Sequence, residues 1–168
     1  MSFIFETVER FIAGTVGEPG ERVFFIQARN GTRLISVALE KAQVGALAER
    51  LEFVVNDLKK SGFSYVGNRA TRDDGPLEQP IESEFDVGAI SIAWDGDSKV
   101  MGIEFFEIST EGNETNLSLK ISVDLGMCDA FVHRSRALLR AGRIPCPLCG
   151  IPIDPQGHLC PRANGYRR

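Results

Sequence analysis

No stretch of this chain approaches the roughly 20 consecutive apolar residues that a helix needs to cross a bilayer. The opening residues, Met1 to Arg10, read MSFIFETVER, with acidic side chains at once and no basic segment ahead of an apolar core. That is not the form of a secretory signal. Without an export signal the thiols are expected in a reducing cytoplasm, where clustered cysteines hold metal more often than they form disulfides. Histidine is scarce, two in 168 residues, and no serine or cysteine nucleophile stands in evident pairing with His133. The run Gly14-Thr15-Val16-Gly17-Glu18-Pro19-Gly20 lacks the Lys-Ser/Thr ending of a phosphate loop and is followed by a strand pattern, so its glycines serve a hairpin. A membrane-spanning chain, a P-loop nucleotide enzyme and a nucleophilic hydrolase all lose their usual signatures, and no catalytic residue is assigned.

What is present is concentrated at the end. Cys146-Pro147-Leu148-Cys149-Gly150 and Gly157-His158-Leu159-Cys160 place three of the four cysteines and one of the two histidines in a 15-residue window. A tetrahedral Zn²⁺ takes four S or N ligands, and two close pairs across a short loop supply them. Gly150 lets the chain turn tightly enough for both thiolates of the first pair to face one ion. The loop from Gly150 to Gly157 carries Pro152, Asp154 and Pro155, which favour a hairpin over a helix. Cys146, Cys149, His158 and Cys160 are therefore read as ligands of a structural Zn²⁺ in a small zinc ribbon or knuckle. Four protein ligands leave no open position, whereas a catalytic site would need one of them, most simply His158, to stay off the metal. A redox dithiol at Cys146 and Cys149 would need a helix N-terminus to lower the thiol pKa, and the surrounding Pro145, Pro147, Gly150 and Pro152 disfavour one. Cys128 stands apart and reads as a small buried hydrophobe.

Charge is divided along the chain. Residues 1–133 hold 12 Lys/Arg against 22 Asp/Glu, and residues 134–168 hold seven arginines against Asp154 alone. An acidic body with a basic tail suits an acidic partner, a phosphate, or a second copy of the chain, although a solvated helix face and a charged terminus produce the same count. Beyond the cysteines, Arg162, Tyr166, Arg167 and Arg168 are the candidates for touching a partner.

The body, residues 1–143, reads as one plan written twice. Strand patterns at about Glu9–Val16, Arg22–Ala28 and Thr32–Leu39 are divided by the turns Gly17–Gly20 and Asn30-Gly31. An amphipathic helix follows from about Lys41 to Lys60, with Val44, Leu47, Ala48, Leu51, Val54, Val55 and Leu58 on one stripe and Gly62 to end it. Strand patterns return at about Val87–Ala93, Lys99–Ile108 and Thr115–Asp124, then a helix over about Gly126–Ala141. Ile35-Ser36-Val37-x-Leu39 matches Ile121-Ser122-Val123-x-Leu125, each just before its helix. Pseudo-repeats at about 9–62 and 87–142, related by a pseudo-twofold axis, are the expectation, unless similar packing demands wrote similar pentapeptides. The fold class is α+β: internally duplicated β-β-β-α units forming an antiparallel sheet, both helices packed on one face, with a zinc-ribbon tail at 144–168. Residues 67–84 are polar and rich in Gly, Pro and acid, and read as a surface connector.

Trp94, Phe24-Phe25 and Phe105-Phe106 read as core. Because neighbours in a strand face opposite ways, one phenylalanine of each pair must leave the first core and meet another cover, either the tail or another subunit. Asp73-Asp74 and Asp95–Asp97 are turn formers before they are acid–base pairs.

The motifs Arg10-Phe11-Ile12-Ala13-Gly14-Thr15-Val16-Gly17-Glu18-Pro19-Gly20-Glu21-Arg22, Val37-Ala38-Leu39-Glu40-Lys41, and the ending from Cys146 to Tyr166 resemble the bacterial domain-of-unknown-function family 3090 over nearly the whole chain. The resemblance implies a full-length unit with this cysteine and histidine motif and brings no reaction with it. The leading expectation is a non-enzymatic binding or adaptor module whose zinc orders the tail for a protein partner. The alternatives are a small-molecule-processing enzyme with a pocket on the body, and a nucleic-acid binder using the arginine-rich end. Tyr166 alone makes a poor stacking platform, and a net charge of −4 opposes general nucleic-acid affinity.

Overall fold

The computed structural model describes residues 1–18, 20–62, 73–109, 111–112 and 116–141. Its elements run β1 (Ser2–Phe5), β2 (Arg10–Val16), β3 (Val23–Asn30), β4 (Arg33–Leu39), α1 (Lys41–Lys60), β5 (Ser83–Asp95), β6 (Val100–Glu107), β7 (Ser118–Val123) and α2 (Leu125–Arg140). One seven-stranded sheet has the order β1-β7-β6-β5-β4-β3-β2. The class is α+β, but the sheet is mixed where an antiparallel one was expected. β4 pairs with β5 in parallel, and β1, which the sequence pattern had not shown, pairs with β7 in parallel.

The strand directions give the two expected units the same placement in the sheet. β2-β3-β4 and β5-β6-β7 are both antiparallel meanders, and they meet through the parallel β4–β5 pair. First strand therefore corresponds to first, second to second and third to third by a displacement across the sheet. The third strand of each unit is followed by a parallel neighbour, β5 beside β4 and β1 beside β7.

The outermost strands β1 and β2 are joined by residues 6–9 alone. Six strand intervals in a flat sheet span about 29 Å. Five Cα steps reach about 18 Å at most. The sheet is therefore curled, and contacts across the curl agree: the Arg33 Nη1 donates to the Ile4 carbonyl at 2.8 Å, and its guanidinium lies 4.4 Å from the centre of the Phe5 ring.

The concave side holds a single apolar cluster. The first unit contributes Phe11, Ala13, Phe24, Ile26, Ile35 and Val37, and the second Met101, Ile103, Phe105, Leu119, Ile121 and Val123, all buried. Both helices close over it. α1 places Val44, Leu47, Leu51 and Val55 inward at three- and four-residue spacing, and α2 places Cys128, Phe131 and Val132. Phe131 stacks on Phe11 with ring centres 4.2 Å apart, which seats α2 against β2. α1 begins with Gln43 accepting from the Glu40 backbone N–H at 2.7 Å, while its amide donates to the carbonyls of Val87 and Gly88. It ends at Gly62 with φ +94°. α2 starts at Asp124, whose carboxylate accepts from the Met127 N–H at 2.7 Å. Among the described residues no helix is long and apolar enough to cross a membrane.

Candidate functional site

Cys146, Cys149, His158 and Cys160, with Arg162, Tyr166, Arg167 and Arg168, lie outside the described residues, as do residues 67–72 of the expected connector. Within the described residues no group of three or more His, Cys, Asp or Glu side chains is placed to hold a metal. The densest chemistry of the body gathers at residues 73–80, which form a strap across the convex face of the first unit.

Cross-strand register shows what the strap covers. Ile12, Gln27 and Ser36 form one row on the convex face, and Gly14, Phe25 and Ala38 the next. Leu77 fills the space over Gly14, where a Cβ would lie 2.5 Å from the Leu77 Cγ. Gln27, 1% exposed, binds the strap backbone through both ends of its amide. Its Nε2 donates to the Glu78 carbonyl at 2.9 Å and its Oε1 accepts from the Glu78 N–H at 2.8 Å. That Nε2 also donates to the Ser36 hydroxyl at 3.1 Å. A polar residue in mid-strand is thus satisfied without water.

Charge fastens the strap ends. Arg10 donates through Nη2 to Asp73 Oδ1 at 3.0 Å and to the Pro76 carbonyl at 2.9 Å, and its Nε pairs with the other Asp73 oxygen. Arg29 bridges Glu78 at 3.1 Å and Glu9 at 2.8 Å. Arg134 comes from the other side of the sheet. It reaches round the free edge of β2, donating from Nε to the Ala13 carbonyl and from Nη1 to the carbonyls of Asp73 and Gly75, each at 2.7 Å. One side chain therefore ties helix, edge strand and strap together, and occupies an edge carbonyl that another strand would otherwise seek. The hydrogen bond from Arg10, followed by that from the Gly75 N–H, holds the Asp73 carboxyl below the usual aspartate range against the opposing effect of burial. The same Asp73 hydrogen bond raises Arg10, while burial lowers Arg134.

Several sequence expectations resolve here. Phe24 is 4% exposed and Phe105 is 0% exposed, whereas Phe25 lies half-buried on the convex face and Phe106 is 38% exposed. Each pair does divide between faces, but in the first unit the strap lies on the second face, where the tail or another subunit was expected. Trp94 is half-buried against the core. Asp95 is a turn former: its carboxylate takes the Ser98 hydroxyl and the N–H groups of Ser98 and Asp97. Asp73 accepts from Gly75 N–H at 2.9 Å as a turn former does, but its larger role is the pairing with Arg10. Cys128 is buried among apolar groups, and burial pushes its thiol up to about 12. His133 is exposed on α2. Of the arginines counted toward a basic end, Arg134 is turned inward and Arg136 pairs with Glu52 at 2.9 Å.

A cleft of about 170 Å³ is lined by Gly20, Arg22, Phe24 and Lys41. Arg22 lies over the Phe24 ring, 5.2 Å from its centre, and donates to the Leu138 carbonyl near the end of α2 at 3.3 Å. The strap contacts were not among the sequence expectations. The available signal was the placement of Arg10, Gln27 and Arg29 inside runs that otherwise read as strand core.

The family model described as "Protein of unknown function (DUF3090)" matches residues 3–160, and the chain belongs to that family. No curated protein and no solved structure matches it.

Proposed function

We propose that this member of the DUF3090 family is a non-enzymatic binding module, an α+β body that carries a zinc-ordered, basic C-terminal tail. The observation that carries the reading is the use made of charge in the body. Arg10, Arg29 and Arg134 meet Asp73, Glu78, Glu9 and backbone carbonyls and so hold the strap in place, instead of converging on a cleft. The chemistry left over lies at the C-terminus. There Cys146, Cys149, His158 and Cys160 have the number and spacing for one structural Zn²⁺, and Arg162, Tyr166, Arg167 and Arg168 follow as the surface for a cytoplasmic protein partner. The two β-β-β-α units are read as copies of one ancestral unit. In support, Ile35 and Val37 of β4 and Ile121 and Val123 of β7 are buried at equivalent places in the two meanders.

The test has two parts. Metal analysis of the full chain should find one zinc per chain, lost in the Cys146→Ser, Cys149→Ser double variant. A pull-down with both proteins should recover a partner through the full chain alone, because a zinc site of this size folds with its metal. A metal-free native chain, or full partner capture by the double variant, overturns the reading.

A second reading, an enzyme acting on a small anionic molecule, has the cleft lined by Arg22 and Lys41 in its favour. That cleft offers cations and an aromatic wall, the means to bind an anion, with no nucleophile–base pair beside them among the described residues. A nucleic-acid role has less support, since Arg134 and Arg136 are committed within the body.

A further inference from the structure

Among the described residues nothing straps the convex face of the second unit, and we infer that this face packs against the same face of a second copy of the chain. A β-bulge between Val87 and Ile90 shifts the phase of β5. Beyond it Ile90, Ile92 and Trp94 point to the core and Ala89, Ser91 and Ala93 point out, all three exposed. Register continues that outer face through Gly102, Glu104 and Phe106 of β6, Lys120 and Ser122 of β7, and Ile4 of β1. Ile4 is 51% and Phe106 38% exposed, and each lies diagonal to the other across β7. The equivalent face of the first unit is closed by the strap.

Charge identifies the occupant. Glu104 and Lys120 are directly opposed across β6 and β7, yet neither forms an ion pair among the described residues. Consider two copies set face to face about a dyad that runs along the strands between β6 and β7. Glu104 of each then faces Lys120 of the other, so the face is complementary to itself, as a twofold contact requires. The same dyad sets Phe106 beside Ile4 of the second copy. Ala93, Gly102 and Ser122 are small enough to let two sheets approach to about 10 Å. A nucleic acid would find one cation here, Lys120, and a membrane would meet two charges in the middle of the contact. Four strands about 4.8 Å apart and six residues long present on the order of 400 Å² of projected face. That is below the roughly 800 Å² per partner of a standard interface, so the dimer should be weak, with a dissociation constant on the order of tens of micromolar. The inference uses the body alone and is independent of the zinc reading.

Sedimentation velocity on the full chain from about 1 to about 200 µM spans that range. Wild type should shift from monomer to dimer. Glu104→Lys and Lys120→Glu each create two like-charge contacts, and each should weaken dimerisation at least about tenfold. Glu104→Lys combined with Lys120→Glu reverses both partners at once and should restore the constant to within about threefold. Circular dichroism melts check that each variant folds, and Phe106→Asp gives a second route to the monomer. A chain monomeric throughout, or a dimer indifferent to the single reversals, overturns the inference and leaves the face to a different partner or to solvent.

Discussion

The two three-strand units share a strand plan and differ in how their convex faces are finished. In β2-β3-β4 the face is buried by residues 73–80, which insert Leu77 over Gly14 and meet Gln27, Arg10 and Arg29. In β5-β6-β7 the corresponding face holds Ala89, Ser91, Ala93, Lys120 and Phe106, all exposed. The residues follow the difference. A covered face can use a buried glutamine and a glycine because the strap supplies their partners, while an open face must be small or charged. The lesson is that one backbone plan has two energetic states, and the difference lies in the segment connecting the units more than in the strands.

The widest separation between the units should come from Arg134. Its side chain is 14% exposed and satisfies carbonyls of Ala13, Asp73 and Gly75 at once. Arg134→Ala leaves those carbonyls without their donor and Asp73 with Arg10 alone, and the expected loss is about 2–4 kcal/mol in urea unfolding. Hydrogen exchange should localise the effect, with the Glu78 amide losing protection while the amides paired between β6 and β7 keep theirs. Uniform loss across both units would show that the strap is not a separable layer.

A glycine in each face tests the same contrast at smaller scale. At Gly14 an added Cβ would meet Leu77 at 2.5 Å, whereas at Gly102 it would meet only the Ala93 carbonyl, at 3.5 Å. Gly14→Val should cost about 1–3 kcal/mol through overpacking. Gly102→Ala should stay within about 0.5 kcal/mol in thermal melts at low concentration, since strand glycine is itself unfavourable. Equal losses at the two sites would mean that the strap yields easily.

Much of this body was legible from apolar periodicity. α1 falls over Lys41–Lys60 as its stripe of Val44, Leu47 and Leu51 required, and six of the seven strands follow alternating runs and turn residues. What could not be read was non-local. β1 is four residues long and gains its place by pairing with β7 more than a hundred residues away, and the parallel β4–β5 pair depends on how α1 crosses the sheet. The start of β5 was hidden by the change of phase at Gly88, where a Cβ would approach the Ile108 Cα to 3.0 Å. The strap read as a connector because Asp73, Gly75, Pro76 and Pro80 are turn and loop residues. Nothing local tells whether such a segment points at solvent or lies on a sheet. The cysteine–histidine motif was the clearest signal of all, carried by spacing alone, and it belongs to the part of the chain outside the described residues.

The finest test of the comparison uses one aspartate from the strap and one from a turn of the second unit. Both Asp73 and Asp95 have carboxyls held below the ordinary aspartate range, the first chiefly by Arg10 and the second chiefly by the Ser98 hydroxyl. A depressed folded-state pKa means that the unfolded chain takes up the proton first as acid is added. The stabilisation is therefore complete above the ordinary value of about 3.9 and disappears as pH falls below it through the folded-state value. Asp73→Asn should flatten the acid limb of stability in that window and also lower stability near neutrality, because Arg10 then lacks its charged partner. Asp95 is fully exposed in its turn, so Asp95→Asn should alter the same limb less and leave neutral stability nearly unchanged. Raising the salt to about 1 M should shrink the Asp73 effect only in part, since Arg10 is 14% exposed and partly shielded from counterions. If the two variants trace the same acid limb, the strap contributes no electrostatic stability beyond that of an ordinary turn, and the covered and open faces differ in packing alone.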